Sequence, residues 1–466
     1  MDSDFVPNAR PKRILVIGGG ASGLVTLRNL RERGDFDDVQ LVERRDDVGG
    51  VWYLHDGHWP SPAYPGLIGN VLPEFLSFSA FPPFPEPSST DVGQPFPSLA
   101  ETHAYLRSFA APLLASGAIR LNTEVLAVEE LPERAGWRVH MRRGSETIEE
   151  TWDAVVVAVA FYDHPVYPQT PGLSRLQELG LAHHAQRWRG PRGYESQRVL
   201  VIGNANSGND IAAQLAPVAS SVYQSIRRPN FPGFPSLADP RITRVAPVMQ
   251  YLTREDSATG KHVVDARLTD GTVITDLDSV LFGTGYCPCP DFVRILSPSS
   301  HSLQPLVLSS SPSPSTPTIP RLHRYTLYVP NPSLAFVGTA FASYTPFTVA
   351  DMCSTWLALA WSADGGITYP TSLQALLAFE ASRVEAVEAG RVEAAGGGEP
   401  SALIAYGVLG PFEEEFAAGL REEVVRVRPE MGDVLPVWSP ERTEVREAMF
   451  GVKRRALELA AAQVAG

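Results

Sequence analysis

Cysteine is nearly absent from this chain: there are three in 466 residues, Cys287, Cys289 and Cys353. That is too few for a disulfide framework at this length and fits a reducing compartment. Cys287-Pro-Cys289 is not a C-x-x-C, and nothing nearby supplies further ligands, so both read as structural thiols in a Pro-rich loop and no metal site is expected. A basic excess is also missing. The formal net charge of −13 excludes a general nucleic-acid partner, which needs a clustered basic face. Long apolar runs are lacking too, since none approaches the roughly eighteen residues of a membrane span. The apolar C-terminal stretch Ala456 to Gly466 is short and holds a glutamate and a glutamine. The opening "MDSDFVPNARPK" has neither a secretory apolar core nor a presequence pattern, so the expectation is a cytoplasmic protein without a transmembrane segment.

What is present is ordinary globular composition, 44% hydrophobic and 20% charged, in a chain long enough for two or three domains. Three zones are expected: 1–165, 166–286 and 287–466. The first contains a strand, a glycine turn and a helix, followed by a Pro- and Phe-rich stretch, "LPEFLSFSAFPPFPEP", too broken for regular structure. "HPVYPQTPG" marks the first boundary and "VLFGTGY" closes the second zone. The third has a Ser/Pro-rich segment, Ser309 to Pro320, expected as a surface loop, and then "LAFVGTAF", expected as a buried strand. Ala381 to Glu399 reads as a solvent-facing helix stopped by Gly396 to Gly398.

Two glycine turns carry the chemistry. Gly18, Gly20 and Gly23 form G-x-G-x-x-G directly after the apolar run Ile14 to Ile17 and before a helical stretch. The first glycine permits the tight turn, the second lets backbone approach a pyrophosphate, and the third lets helix and strand pack closely. Amides at the helix start, including those of Ala21 and Ser22, supply donors for the phosphates. A second strand, "DVQLVE", ends at Glu43, 20 residues after Gly23. An acid there accepts from a ribose hydroxyl and repels a 2′-phosphate, so the first nucleotide has an unphosphorylated ribose.

The second turn runs Gly203-Asn204-Ala205-Asn206-Ser207-Gly208, with Asn209 continuing into its helix and Ala205 where the middle glycine would stand. A methyl group at the closest backbone approach is a modest obstruction. After the next strand, the position that held an acid in the first unit holds Arg227 and Arg228, which suit a 2′-phosphate by charge-assisted, bidentate hydrogen bonds. Opposite charges at the two ribose positions imply two dinucleotides, FAD on the first unit and NADPH on the second, with hydride passing between them.

At this point the chain resembles the flavin-containing monooxygenases. "VERRDDVGGVW" is similar to that family's acid followed by a Gly-Gly-x-Trp turn, which assigns Gly50, Val51 and Trp52 to the flavin site. "VLVIGNANSGNDIA" is similar to its NADPH turn. "GNVLPEFLSFSAFPPFP" resembles its Asn-Leu-Pro segment, with one extra residue before Pro73, and places Asn70 on the asparagine set beside flavin and nicotinamide. Gly180, His184 and Trp188 fit the family's fingerprint, with Glu178 in place of its leading Phe, and His184 is expected to be a structural and linker residue. Cys353 stands where a glutamine is frequent, and Ala160-Phe161-Tyr162 departs from a Gly-His-Tyr-like crossover, a departure that bears on the domain hinge.

The resemblance implies an α/β fold of two Rossmann-like domains, the NADPH domain inserted into a discontinuous FAD domain that ends in C-terminal helices. It implies reduction of FAD by NADPH, a C4a-hydroperoxyflavin, and transfer of one oxygen atom from O2 to a nitrogen or sulfur of a small molecule. Baeyer-Villiger oxidation of a ketone is the alternative within the class, and a non-catalytic redox-sensing dinucleotide-binding protein is the alternative outside it. A disulfide reductase lacks the redox cysteine pair it needs. The partners expected are the small-molecule substrate and O2, and a homodimer is compatible with the chain.

Overall fold

The computed structural model of the protein describes residues 9–55, 57–59, 61–159, 162–228, 230, 234–255, 260–306, 318–339, 345–395 and 404–465. Ile14, Leu15 and Val16 are fully buried and Val199, Leu200 and Val201 equally so, because both runs are central strands covered on two faces. Each lies in the parallel part of its own sheet.

The first sheet has seven strands, in the order Leu322–His323, Leu327–Tyr328, Leu334–Phe336, Ala154–Val157, Arg13–Ile17, Asp38–Val42 and Ile119–Arg120. Its last five strands are parallel neighbours. The start of the "LAFVGTAF" run, Leu334–Phe336, therefore does form a buried strand, which comes from the far end of the chain to complete the sheet begun at residue 13, while residues 340 and 341 lie outside the described residues. The second sheet has five strands, all parallel, in the order Ile242–Val245, Ser221–Ser225, Arg198–Ile202, Ser279–Phe282 and Ala182–His184. Every strand of the second sheet lies in sequence between strands of the first. This is the discontinuous, two-unit α/β architecture expected.

The connections between the units run side by side. Val166 donates to the Gly285 carbonyl at 2.9 Å, and Cys287 donates to that of His164 at 2.9 Å. Arg44 binds Asp163 through two hydrogen bonds of 2.7 Å and lies 4.2 Å from the centre of the Trp59 ring. Ala160 and Phe161, the crossover departure, lie outside the described residues.

The helix Pro346–Trp361 is buried from Phe347 to its end and fastens the Pro/Phe-rich stretch. Asp351, 0% exposed, accepts from the Ser79 amide at 2.7 Å and the Asn29 side chain at 2.9 Å, and pairs with Arg28 and Arg33 at 3.4 Å each. A charge so deep is tolerated because it is paired and hydrogen-bonded. Phe75, Phe78 and Phe84 are buried, with Phe78 stacked on Phe347 at 5.2 Å, so a segment without repeating backbone is ordered by its side chains. Two boundaries differ from the sequence reading. The helix expected over 381–399 spans Leu373–Ala395, and Thr318 and Ile319, at the end of the expected surface loop, are buried. Residues 309–317 of that loop lie outside the described residues.

Candidate nucleotide site

The first glycine turn is built by contact with three other segments. Gly18 has φ +107°, and a side-chain carbon on it would stand 2.9 Å from the Ala158 carbonyl oxygen, at the end of the neighbouring strand. A carbon on Gly23 would stand 1.8 Å from the Gly18 oxygen, so helix Ala21–Arg33 can approach its strand only with glycine there. Gly20 is different: φ is −78°, and a carbon there would meet Gly50 at an ordinary 3.5 Å. Folding alone does not demand glycine at position 20.

Glu43 lies where the strand-turn-helix arithmetic put it, at the turn itself. Its carboxylate is buried and accepts from the Gly19 amide at 2.7 Å and the Arg45 amide at 2.9 Å. A carboxylate has about four acceptor positions, so two remain for hydroxyl donors. The short helical turn Gly50–Trp52 closes over Gly20, with Gly49 donating to the Gly19 carbonyl at 2.8 Å and the Arg45 guanidinium donating to that of Gly50 at 2.8 Å. Ser61 fastens the same turn through the Val51 carbonyl at 2.6 Å. Gly18, Gly20, Ala21, Ser22, Gly23, Glu43, Gly50, Val51 and Trp52 thus form one cluster at the carboxyl ends of the first sheet.

The second cluster repeats the plan. Carbons on Gly203 and Gly208 would stand 2.6 and 2.4 Å from the oxygens of Gly283 and Gly203. Gly283, in "FGTGY", therefore does for the second turn what Ala158 does for the first. Ala205 adopts φ −82° and ψ −170°, almost the angles of Gly20, so its methyl group enters without backbone strain. Helix Asn206–Leu215 begins there with no side-chain cap and no acid in its first turn, as does Ala21–Arg33 at Gly20. Uncapped first-turn amides with the positive end of the helix dipole suit an anion at both places.

Asn209 and Gln224 hold this turn. Asn209 donates to the Asn204 carbonyl at 2.8 Å, and Gln224 donates to the Gly203 carbonyl at 3.0 Å and the Asn209 side chain at 2.9 Å. Asn204 in turn donates to the Arg228 carbonyl at 2.9 Å, which sets the backbone of the arginine pair beside the turn, Arg227 exposed and Arg228 half-buried.

Asn70 belongs to neither cluster by direct contact. It is exposed, directly after the buried Gly69, in a segment pinned by groups the sequence did not single out. The Tyr64 hydroxyl donates to Asp210 at 2.7 Å, Lys453 donates to the Gly69 carbonyl at 2.7 Å, and Arg189 donates to the carbonyls of Ser61 and Ala63 at 3.1 and 3.3 Å. Burial raises the Asp210 carboxyl and the Tyr64 hydroxyl above their usual ranges and lowers Lys453 to about 8. Tyr64 is 146 residues from Asp210, and Gly69 is 384 from Lys453, distances that no local pattern spans.

His184 is 3% exposed, accepts from the Gln186 amide at 3.2 Å, packs edge-on against Tyr167 and Tyr286, and is lowered to about 4 by burial. Trp188 donates to Gln214 of helix Asn206–Leu215 at 3.3 Å. Trp188 thus packs on the far end of the helix that follows the second turn, and His184 packs beside the end of "FGTGY". Cys353 is buried and its thiol is pushed up to about 12, while burial also raises the half-buried Cys287 and Cys289.

Residues 11–231 match the sequence model of the family described as Flavin-binding monooxygenase-like. Over this stretch, just under half of its length, the chain is similar to the flavin-containing monooxygenases. Over 382 residues it is 29% identical to flavin-containing monooxygenase FMO GS-OX-like 2 of Arabidopsis thaliana, covering 77% of this chain and 75% of that one. The thiol-specific monooxygenase of Saccharomyces cerevisiae is 27% identical over 341 residues, 70% of this chain and 72% of its own. Among solved structures, S-allyl-L-cysteine S-oxygenase from Allium sativum superposes with a TM-score of 0.69 at 22% identity, covering 98% of this chain and 94% of that one, and shares the fold. Flavin-containing monooxygenases are NADPH-dependent flavoprotein oxidoreductases that use FAD and NADPH, and the chain is an enzyme of this class. Among the described residues no helix is long and apolar enough to cross a membrane.

Proposed function

We propose that the protein oxygenates a soft nucleophile, nitrogen or sulfur, on a small molecule, by way of a C4a-hydroperoxyflavin. The observation that carries the two-nucleotide part is the pairing of two like turns with opposite charge at the strand ends, Glu43 on one and Arg227 with Arg228 on the other. When bound, the flavin, reduced by NADPH, supplies oxygen activation and transfer of one oxygen atom. In this reading the boundaries of the inserted unit fall at 165/166 and 286/287, where the two connecting segments run together.

The chain's own residues have distinct tasks. Gly18, Gly20, Ala21, Ser22 and Gly23 offer backbone amides to the FAD pyrophosphate, Glu43 takes the ribose hydroxyls, and Gly50, Val51 and Trp52 wall the flavin side. Gly203, Asn206, Ser207, Gly208 and Asn209 do the same for NADPH, and Arg227 and Arg228 take its 2′-phosphate. Asn70 is the catalytic group: with flavin and nicotinamide bound, its amide would hydrogen-bond beside them and hold activated oxygen until substrate arrives. The preference for nitrogen or sulfur is supported by relatives, one of which is named for thiols.

The test measures NADPH consumed, hydrogen peroxide released and oxygenated product formed with a panel of sulfides, thiols, amines and ketones. Sulfide, thiol or amine products from wild type, with more peroxide and less product from Asn70→Ala, are expected. Product from ketones alone would replace this reading with Baeyer-Villiger oxidation, and NADPH-independent, oxygen-inert protein would end the enzymatic reading.

A further inference from the structure

The polar groups that pin residues 61–70 come from two different places. Arg189 and Asp210 belong to the second unit, whereas Lys453 belongs to the C-terminal helix Pro440–Ala465. Lys453 is 7% exposed and lies 4.9 Å from the centre of the Phe96 ring, so it is a built-in anchor for Gly69 rather than a surface charge. Asp210 follows Asn209 directly, one turn into the helix whose first amides form the second glycine turn. A nucleotide on those amides would order the start of this helix, and the hydrogen bond from Tyr64 to Asp210 links that helix to a point six residues before Asn70.

We propose that Tyr64 and Asp210 are a positioning pair that makes the placement of Asn70 depend on occupancy of the NADPH site. This rests on the reading of Asn70 and of the second turn given above. Lys453, whose helix carries neither turn, holds the Gly69 end, and the attraction between its ammonium and the Asp210 carboxylate links the two anchors. Tyr64 fixes the other end through an element that answers to the coenzyme. Between them Leu67 accepts from the Leu99 amide at 2.9 Å and Gly69 donates to the Pro97 carbonyl at 2.8 Å, and Gly66, at φ +82° with open space beside it, is the point where the Tyr64 end can turn against that pairing. Neither Tyr64 nor Asp210 touches a reacting atom in this account, so neither is catalytic.

The experiment uses the full-length FAD-loaded enzyme, reduced with dithionite so that coenzyme can be added separately, then mixed with oxygen with and without NADP+. Peroxide release is followed for wild type, Tyr64→Phe, Asp210→Ala, Asp210→Asn and Asn70→Ala. Added NADP+ should lower peroxide release in wild type, and in Tyr64→Phe and Asp210→Ala this effect should shrink roughly fivefold or more. Flavin content, melting temperature and the KM for NADPH should stay near wild type in both. Asp210→Asn keeps an acceptor for the Tyr64 hydroxyl and should restore the effect. A full NADP+ effect in Tyr64→Phe and Asp210→Ala, with the effect lost in Asn70→Ala, overturns the pair's role and leaves the reading of Asn70 intact. A full effect in Asn70→Ala overturns both. If Tyr64→Phe loses flavin, Asp210→Ala tests the same bond from the other side, and loss of flavin in both makes the contact a folding contact and ends the proposal.

Discussion

The carboxylate of Glu43 accepts the amide of Gly19, 24 residues earlier, at 2.7 Å, so the group expected to select the ribose also braces the turn beneath it. Glu43→Ala removes the acceptor for two buried amides and the acceptor for the ribose together. A charge-assisted hydrogen bond contributes about 1.5–3 kcal/mol, so the Kd for FAD should rise by roughly ten- to a hundredfold. The melting temperature of flavin-free protein should fall as well. Titration of apoprotein with FAD, followed by flavin fluorescence, checks the first. Unchanged affinity would remove Glu43 from the site.

Gly20 and Gly23 should separate binding from folding. Gly23→Ala puts a methyl group 1.8 Å from the Gly18 oxygen and should give insoluble or poorly folded protein. Gly20→Ala meets only an ordinary contact with Gly50, so its circular dichroism and flavin-free melting curve should match wild type while bound FAD falls several-fold. Full flavin content in Gly20→Ala would show that the phosphates do not approach that residue.

Coenzyme choice should follow the arginine pair. With Arg227 and Arg228 both replaced by alanine, the KM for NADPH should rise about ten- to a hundredfold and that for NADH far less, since only the former carries a 2′-phosphate. Steady-state kinetics with both coenzymes make the comparison. Equal use of NADPH and NADH by wild type would dispose of the assignment.

Acid should weaken the fold through His184. Its ring is buried and accepts the Gln186 amide, a bond that requires an unprotonated nitrogen, and its pKa is about 4 in place of the ordinary 6.5. The unfolded chain then binds more protons between these values. Stability is full above about pH 6.5 and declines as pH falls toward 4, by up to about 3 kcal/mol from this residue. Urea midpoints at pH 7, 6 and 5 should drop more steeply for wild type than for His184→Gln, and parallel curves would mean that His184 does not contribute.

Local regularities were legible in the residues themselves. "ILVIGGGASGL" and "VLVIGNANSGND" combine a buried-strand composition, a turn that only small residues can make, and a helix start, all within a dozen residues. The acid or arginine pair at the end of the next strand falls at a spacing that strand and helix lengths dictate. These features are set by short-range sterics and by periodic burial, which act wherever the sequence occurs.

Only the tertiary structure decided what joins across the chain. That Leu334–Phe336 pairs with Ala154–Val157, that Asp351 holds Ser79, and that Asp210 and Lys453 grip the two ends of the segment before Asn70 depends on packing between residues far apart in sequence. Ala205 makes the same point at small scale. Its identity reads as an obstruction to a phosphate, and only the extended backbone angle observed there shows that the turn itself carries the methyl group without strain. A buried tyrosine, aspartate or lysine looks like any other polar residue until the fold removes its water, and the low-dielectric surroundings then make the choice of partner decisive.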